Sequence, residues 1–299
     1  MAKKRKKSKK HNKADNTLSF FQTAVFICVS IFIVYVIFFM PAGTGNGNID
    51  DSSPTASVKE PTFTLYTYLN GIKSSAGTLD FNCTFNFNNG DRLELKSSKK
   101  FEIAGGKSSL LGSTVYAMNG DSAVIDDINY VIDGVRYSKS PSGYVKAPQT
   151  NLDAGNINLG KIETAMEKGE NLVQEGGRSC FKYTTTMAYS EMSTELRDFI
   201  HDQNVNLSNI QDMMLDLTLF VTEKGVPYKI KISFDEAKCM VKATGLKERN
   251  GTVSGDLTIT FSSFNSIESV SVPGEVGQAT DGAYKFTDKL NYYLGKINY

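Results

Sequence analysis

Apolar and polar residues alternate with a period of two along most of the chain beyond residue 61. In the clearest run, residues 79–87, every odd position is Leu, Phe or Cys and every even position is Asp, Asn or Thr. Because successive side chains of a strand point to opposite faces, this run predicts a strand with one buried and one solvated face. The other strand-like runs are residues 63–69, 93–95, 115–118, 123–132, 135–139, 144–146, 217–221, 228–234 and 257–261. Together they predict one antiparallel sheet of about nine to eleven strands.

A helical period interrupts this alternation in two places and returns at the end of the chain. Residues 162–172 predict a first helix, and residues 196–214 predict a second helix or a broken pair. The Tyr-rich tail, residues 286–299, predicts a terminal helix. The apolar positions of the first predicted helix are Ile162, Ala165, Met166 and Leu172. Those of the second are Leu196, Phe199, Ile200, Leu207, Ile210, Met213 and Met214. The expected fold class is therefore α+β, mainly β, with two or three helices covering one side of the sheet.

The first forty residues have a different pattern, because a basic cluster runs into an uncharged apolar stretch. Residues 18–40 contain no charged side chain. At about 1.5 Å per residue they would form a helix of about 35 Å, enough to cross a hydrocarbon core of about 30 Å. We therefore predict a transmembrane helix over these residues. A cleavable signal peptide is the alternative, but its apolar core is typically only about 7 to 15 residues long.

Charge gives this predicted span an orientation. Residues 1–17 hold eight Lys or Arg against Asp15 alone, a net charge of +7. The positive-inside rule therefore predicts a cytoplasmic N-terminus and an extracytoplasmic C-terminal domain at the cell membrane. Residues 41–60, rich in Gly, Asn, Asp, Ser, Thr and Pro, predict a flexible stalk, and residues 61–299 the folded domain.

The same charges indicate which partners to expect. The basic segment is expected to contact anionic lipid headgroups, at about 1 kcal/mol for each Lys or Arg near the surface. Since the whole chain carries +1, the part beyond the membrane carries −6. An acidic domain does not attract phosphates, so nucleic acid is not an expected partner.

No arrangement of residues in the sequence predicts catalysis or a metal site. His11 and His201 are the two histidines, and His11 lies in the basic segment. Asp126 and Asp127 resemble the acidic pair of some glycosyltransferases, but adjacent strand residues point to opposite faces, so a solvated strand edge is the expected setting. We expect neither enzyme activity nor a cofactor.

Two short motif matches also lack their required context. Ser97 and Lys100 have the Ser-x-x-Lys spacing of penicillin-binding proteins, without the accompanying Lys-Thr-Gly. Gly106, Lys107 and Ser108 match the end of a phosphate loop, but Phe101 stands where the first Gly is required. Neither match predicts a site.

Three cysteines lie beyond the predicted span, an odd number. Cys83 belongs to the alternating run of residues 79–87 and is expected to be a small buried hydrophobic residue. Cys180 and Cys239 lie in strand-like segments, and a bridge between them is left open.

The order of these features resembles a known family. A strand meander contains VIDGVRYSK at residues 131–139 and GYVK at residues 143–146. It is followed by helices, by a hairpin around residues 223–227 and by a last strand that ends at Val272 and Pro273. This order is similar to the lipoprotein-carrier half-barrel superfamily, which includes periplasmic lipoprotein carriers and mycobacterial lipid-binding lipoproteins. The resemblance covers about residues 61–276. It implies a curved antiparallel half-barrel around helices, holding acyl chains or lipoproteins.

The resulting hypothesis is a single-pass, membrane-anchored domain that binds a lipid or another apolar ligand, in a carrier-like or sensor-like role. A lipoprotein is a further candidate ligand implied by the resemblance. The predicted ligand-binding residues are Phe81, Phe85, Phe199, Met213, Met214, Leu219, Ile230, Ile232 and Phe261. The alternative is a structural or interaction module of a cell-envelope assembly, with a solid core. A third option, a membrane-anchored hydrolase or transferase, requires converging carboxylates that the sequence does not display.

Overall fold

The computed structural model describes residues 72–148, 164–188, 213–241, 249–282, 284 and 286–296. The predicted membrane segment (18–40), the stalk (41–60) and residues 196–212 of the second predicted helix lie outside these ranges. None of the helices that are described has the length and apolar character needed to span a membrane.

Thirteen strands join into one sheet in the described part of the chain. Their bounds are β1 Ser74–Phe87, β2 Arg92–Ala104, β3 Lys107–Met118, β4 Asp121–Ile132, β5 Val135–Ser140, β6 Gly143–Pro148, β7 Glu167–Lys168, β8 Val173–Glu175, β9 Arg178–Ala188, β10 Met214–Thr222, β11 Pro227–Val241, β12 Arg249–Phe264 and β13 Thr280–Asp281. The order across the sheet is β13-β6-β5-β4-β3-β2-β1-β12-β11-β10-β9-β7, with β8 also paired to β9. β13 pairs with β6 in parallel, and the other pairs are antiparallel.

Tight turns explain why β3, β4 and β5 form consecutive hairpins. Asn119 and Gly120 connect β3 to β4, and Asp133 and Gly134 connect β4 to β5. All four residues have positive φ, as the favoured two-residue hairpin turns require, and Asn-Gly and Asp-Gly are the pairs that adopt it most readily. The local sequence therefore sets the register of this half of the sheet.

The register places the apolar positions of neighbouring strands side by side. Phe81 of β1 lies opposite Leu257 of β12, which lies opposite Ile232 of β11. All three side chains are buried. The other face is polar: the Asn82 side chain, for example, donates a hydrogen bond of 3.1 Å to Asp256. The period-two pattern thus corresponds to one buried and one solvated face, as predicted.

A short α-helix, α1 (Phe286–Lys296), packs near β3 and β4. Its Tyr293 is fully buried and stacks on Tyr116 of β3, with ring centroids 5.4 Å apart. The Tyr293 hydroxyl donates a hydrogen bond of 2.9 Å to the carbonyl oxygen of Asp121. The predicted terminal helix is therefore present, and the Tyr293 side chain anchors it to the sheet.

The predicted α+β fold class is wrong in its strand and helix content. The described residues form thirteen strands rather than about nine to eleven. In place of two or three covering helices they form one α-helix of eleven residues, a 3₁₀ helix at Gly274–Gln278 and a helical pair at residues 164–165. Within the first predicted helix, residues 162–172, only residues 164–165 are helical among those described; strand β7 follows at residues 167–168, and Leu172 is 45% exposed. Strands β7 and β8 both pair with β9. They supply hydrogen-bonding partners to β9, which would otherwise be an edge strand of the sheet.

The end of the second predicted helix is also a strand. Met214 begins β10, and Met213 immediately precedes it. Met213 continues the alternation of Leu215, Leu217 and Leu219, all of them buried. Here the period of two outweighs the helical spacing, because pairing with β9 and β11 satisfies the backbone on both sides.

Candidate functional site

Six of the predicted ligand-binding residues share one buried face of β1, β10, β11 and β12. We call this group the apolar face. It consists of Phe81, Phe85, Leu219, Ile230, Ile232 and Phe261, with side chains between 1% and 8% exposed. In register, Leu219 lies opposite Ile230, which lies opposite Ile259 of β12. The structure therefore brings together residues that are up to 180 positions apart in the sequence.

A glycine in β1 allows two aromatic rings of this region to meet. Gly77 lies between Phe101 of β2 and Phe261 of β12 in the register of the sheet. A Cβ at this position would lie 2.1 Å from the Thr260 carbonyl oxygen and 2.7 Å from the Phe101 ring. Without it, the rings of Phe101 and Phe261 make an edge-to-face contact at 6.1 Å between centroids.

The other three predicted residues do not all join this face. Met213 is buried, whereas Met214 is 51% exposed and points to the opposite side of β10. Phe199 lies outside the described residues. Met214 therefore does not face the proposed ligand, and a ligand-binding role of the apolar face stays a prediction.

A buried group of charges lies beside the apolar face. We call Lys99 of β2, Asp127 of β4 and Lys289 of α1 the ion cluster. The Lys99 ammonium donates to Oδ2 of Asp127, and the Lys289 ammonium donates to Oδ1. Their side chains are only 4%, 6% and 11% exposed in chain order. The cluster ties the terminal helix to the interior of the sheet.

The sheet makes room for this cluster at a glycine. Gly112 of β3 lies opposite Lys99 on one side and Asp127 on the other. A Cβ at Gly112 would lie 2.3 Å from the Ser98 carbonyl oxygen and 3.0 Å from Cγ of Lys99. The missing side chain therefore leaves the space through which the Lys99 stem reaches Asp127.

Polar neighbours complete the bonding of the carboxylate. The Asn129 amide donates to Oδ1 of Asp127 at 2.8 Å, and the Ser138 hydroxyl donates to Oδ1 of Asn129, also at 2.8 Å. This chain of hydrogen bonds runs from β4 to β5. It orients the Asn129 amide so that its nitrogen faces the carboxylate.

Burial and charge act against each other in this cluster. Burial raises the pKa of Asp127, but the charges of Lys99 and Lys289 and the hydrogen bonds from both outweigh it and hold the pKa well below its usual range. Burial lowers the pKa of Lys289 more than the attraction of Asp127 raises it. Burial, followed by the Asp127 charge, raises the pKa of Tyr116 well above its usual value, so this neighbouring phenol is neutral.

The sequence did not predict this cluster, and its expectation for Asp127 was wrong. Asp126 and Asp127 do point to opposite faces, but only Asp126 is exposed. β4 is an interior strand between β3 and β5, not a solvated edge. One sequence signal was available: Lys99 occupies an odd position of β2 among the buried residues Leu95 and Phe101.

The Ser-x-x-Lys match does not form a site. Ser97 is buried and donates to the Ser113 carbonyl oxygen at 3.0 Å, whereas Lys100 is exposed on the other face of β2. Cys180 is a buried free thiol, and the side chain of Cys239, its possible bridge partner, lies outside the described residues. In the described ranges, no three His, Cys, Asp or Glu side chains converge as metal ligands.

Comparisons with known proteins give distant structural neighbours. No family model matches the chain, and no curated protein matches it. Among solved structures, LprF from Mycobacterium bovis is 13% identical with a TM-score of 0.37, covering 69% of this chain and 90% of its own. A LolA-superfamily protein from Nitrosomonas europaea is 8% identical with a TM-score of 0.21, with the same two coverages of 69% and 90%. Both TM-scores lie below 0.5, so these two structures carry no argument about this chain.

Proposed function

We propose that the folded domain binds a lipid, or another ligand with an acyl chain, against the apolar face. The observation that carries this proposal is the continuity of that face. Its side chains come from four adjacent strands, and in register no polar residue separates Leu219, Ile230 and Ile259. A straight hydrocarbon chain lying across these strands would contact side chains from each of them.

Hydrocarbon burial supplies enough free energy for such binding. Each buried methylene contributes about 0.8 kcal/mol, so ten methylenes contribute about 8 kcal/mol before the entropic cost of association. The face offers large aromatic side chains as well as Leu and Ile; the rings of Phe85 and Phe87, for example, stack at 6.1 Å. This composition suits an acyl chain and has no requirement for a particular polar group.

The proposal places this domain at a membrane. The uncharged stretch over residues 18–40 and the basic residues before it support a single span with a cytoplasmic N-terminus. A tethered domain cannot diffuse between two membranes. In this proposal it therefore acts as a receiver or sensor of lipid at the surface to which it is attached, and it catalyses no reaction. A lipoprotein acyl chain would be recognised by the same apolar contacts.

Photochemical labelling in a living host tests the proposal on the full chain. The host is fed a fatty acid that carries a diazirine, the cells are irradiated, and tryptic peptides are analysed by mass spectrometry. Residues 74–92 form one tryptic peptide that contains Phe81 and Phe85. We expect label on this peptide, and label on residues 18–40 if that segment spans the membrane.

Two variants make this test specific. Phe85→Asp places a charge on the apolar face and is expected to reduce labelling of residues 74–92. Asn86→Asp introduces the same charge one residue later, on the solvated face, and is expected to leave it unchanged. Label on residues 18–40 with none on residues 74–92 would refute the proposal and favour the solid-core interaction module.

A further inference from the structure

The ion cluster contains more positive than negative charge. Asp127 is the one carboxylate that bonds either lysine among the residues that the structure describes. With both ammonium groups protonated, the cluster carries a net charge of +1 in a buried setting. A buried charge without a partner costs several kcal/mol, so an additional anion at this position would be stabilising.

The cluster also directly adjoins the apolar face. Lys99 lies opposite Leu79 of β1, which lies opposite Ile259 of β12. Neighbouring strands are about 4.8 Å apart, so the Lys99 backbone is about two strand spacings from that of Ile259. One row of the sheet thus runs from aliphatic side chains to a pair of cations.

We propose that the ion cluster binds the acid group of an anionic amphiphile whose acyl chain lies on the apolar face. This inference rests on the proposed function and adds the chemical class of the ligand. An ammonium group has three N–H donors, and Asp127 takes one from each lysine. The remaining donors suit carboxylate or phosphate oxygens, which are the groups that end fatty acids and phospholipid headgroups.

The surroundings of the cluster favour an anion over a cation. Tyr116 and Tyr284 lie close to Asp127 and are neutral phenols, since burial raises the pKa of Tyr284 to about 12. The positive charge of Arg136 is close enough to lower the pKa of Lys289. Among the described residues, Asp127 is the one carboxylate that bonds these lysines. A ligand carboxylate would therefore compete with Asp127 alone for their N–H donors.

The test compares two photoreactive probes with the same alkyl chain, a fatty acid and the corresponding alcohol. The purified full chain in neutral detergent is labelled with each probe at a pH of about 7.5, where an exposed carboxyl is ionised. The measured quantity is the ratio of acid to alcohol labelling on residues 74–92. A charge-assisted hydrogen bond predicts a preference for the acid of about tenfold or more.

Variants of the cluster change this ratio in opposite directions. Lys289→Met leaves one lysine and one carboxylate and is expected to abolish the preference. Lys289→Arg keeps the charge and should retain it, as should Lys296→Met, which removes an exposed lysine from the same helix. Asp127→Asn removes the negative charge and, where circular dichroism shows it folded, should increase the preference.

The outcomes separate this inference from the proposed function. No labelling of residues 74–92 by either probe would overturn both. Equal labelling by acid and alcohol, in wild type and Lys289→Met alike, would leave acyl-chain binding intact and overturn the headgroup site. Loss of the acid preference in inorganic phosphate at about ten times the probe concentration would assign the cluster to a free anion and also overturn the amphiphile proposal.

Discussion

Removing the charge of Asp127 is expected to destabilise the domain far more than removing the charge of Lys99. Asp127→Asn leaves two buried lysines without a counter-charge, whereas Lys99→Met leaves Asp127 paired with Lys289. The Met side chain also keeps most of the volume of the Lys99 stem, which passes over Gly112. The comparison therefore isolates the cost of unpaired charge from the cost of lost packing.

The magnitudes differ by several kcal/mol. Breaking a buried pair by removing one partner costs about 3 to 5 kcal/mol, and here two ammonium groups are affected. The larger cost arises because an uncompensated charge is left buried; Lys99→Met leaves none, since Asp127 still pairs with Lys289, so we expect a cost of only about 1 kcal/mol. We therefore expect Asp127→Asn to lower the free energy of unfolding by about 4 kcal/mol and Lys99→Met by about 1 kcal/mol.

Urea unfolding of the full chain, followed by circular dichroism, measures both changes. With a slope of about 3 kcal/mol per molar urea, the midpoint should fall by about 1.3 M in Asp127→Asn and by about 0.3 M in Lys99→Met. Asp126→Asn, the exposed neighbour on the other face of β4, is the matched control and should not change the midpoint. Equal shifts in Asp127→Asn and Lys99→Met would refute the assignment of Asp127 as the shared counter-charge.

Three further predictions follow from the contacts of β3 and α1. Gly112→Ala should cost about 1 to 3 kcal/mol through overpacking, measured by urea unfolding, whereas Gly274→Ala, with nothing within 4 Å of its Cβ, should cost little. Tyr293→Phe should cost about 1 kcal/mol for its lost hydrogen bond, and the exposed Tyr292→Phe almost nothing; equal costs would contradict the anchoring role. Burial lowers the pKa of Lys289 in the folded state. Between that pKa and about 10.4, the usual pKa of a lysine, the unfolded state binds more protons than the folded state. The free energy of unfolding should therefore rise with pH up to about 10.4. Lys289→Met should flatten this rise in a series of urea titrations, and an unchanged pH slope would contradict it.

Local patterns were sufficient where backbone geometry alone decides the structure. The alternation over residues 79–87 predicted the faces of β1, and residues 119–120 and 133–134 have the chemistry of two-residue hairpins. The spacing of the tail predicted α1, whose buried Tyr293 holds it in place. In each case a period of two or of 3.6, or a turn that needs positive φ, is encoded within a few adjacent residues.

The grouping of residues into a site depended on which strands become neighbours. The apolar side chains of β1, β10, β11 and β12 were each predictable as buried, but their alignment across four strands is a property of register. The ion cluster is a stronger case, because Lys99, Asp127 and Lys289 are 28 and 162 residues apart along the chain. No local pattern reports such a pairing.

The sequence by itself determined the strand periodicity, the hairpin turns, the terminal helix and the identity of most buried residues, because these follow from the geometry of a short stretch of backbone. The tertiary structure alone decided that residues 167–168 pair with β9, that Met214 faces solvent and that Asp127 is buried between two lysines. These outcomes depend on long-range pairing and burial. A buried charge is tolerated only where the fold places an opposite charge next to it. Because that charge comes from a distant part of the chain, its position depends on the whole fold.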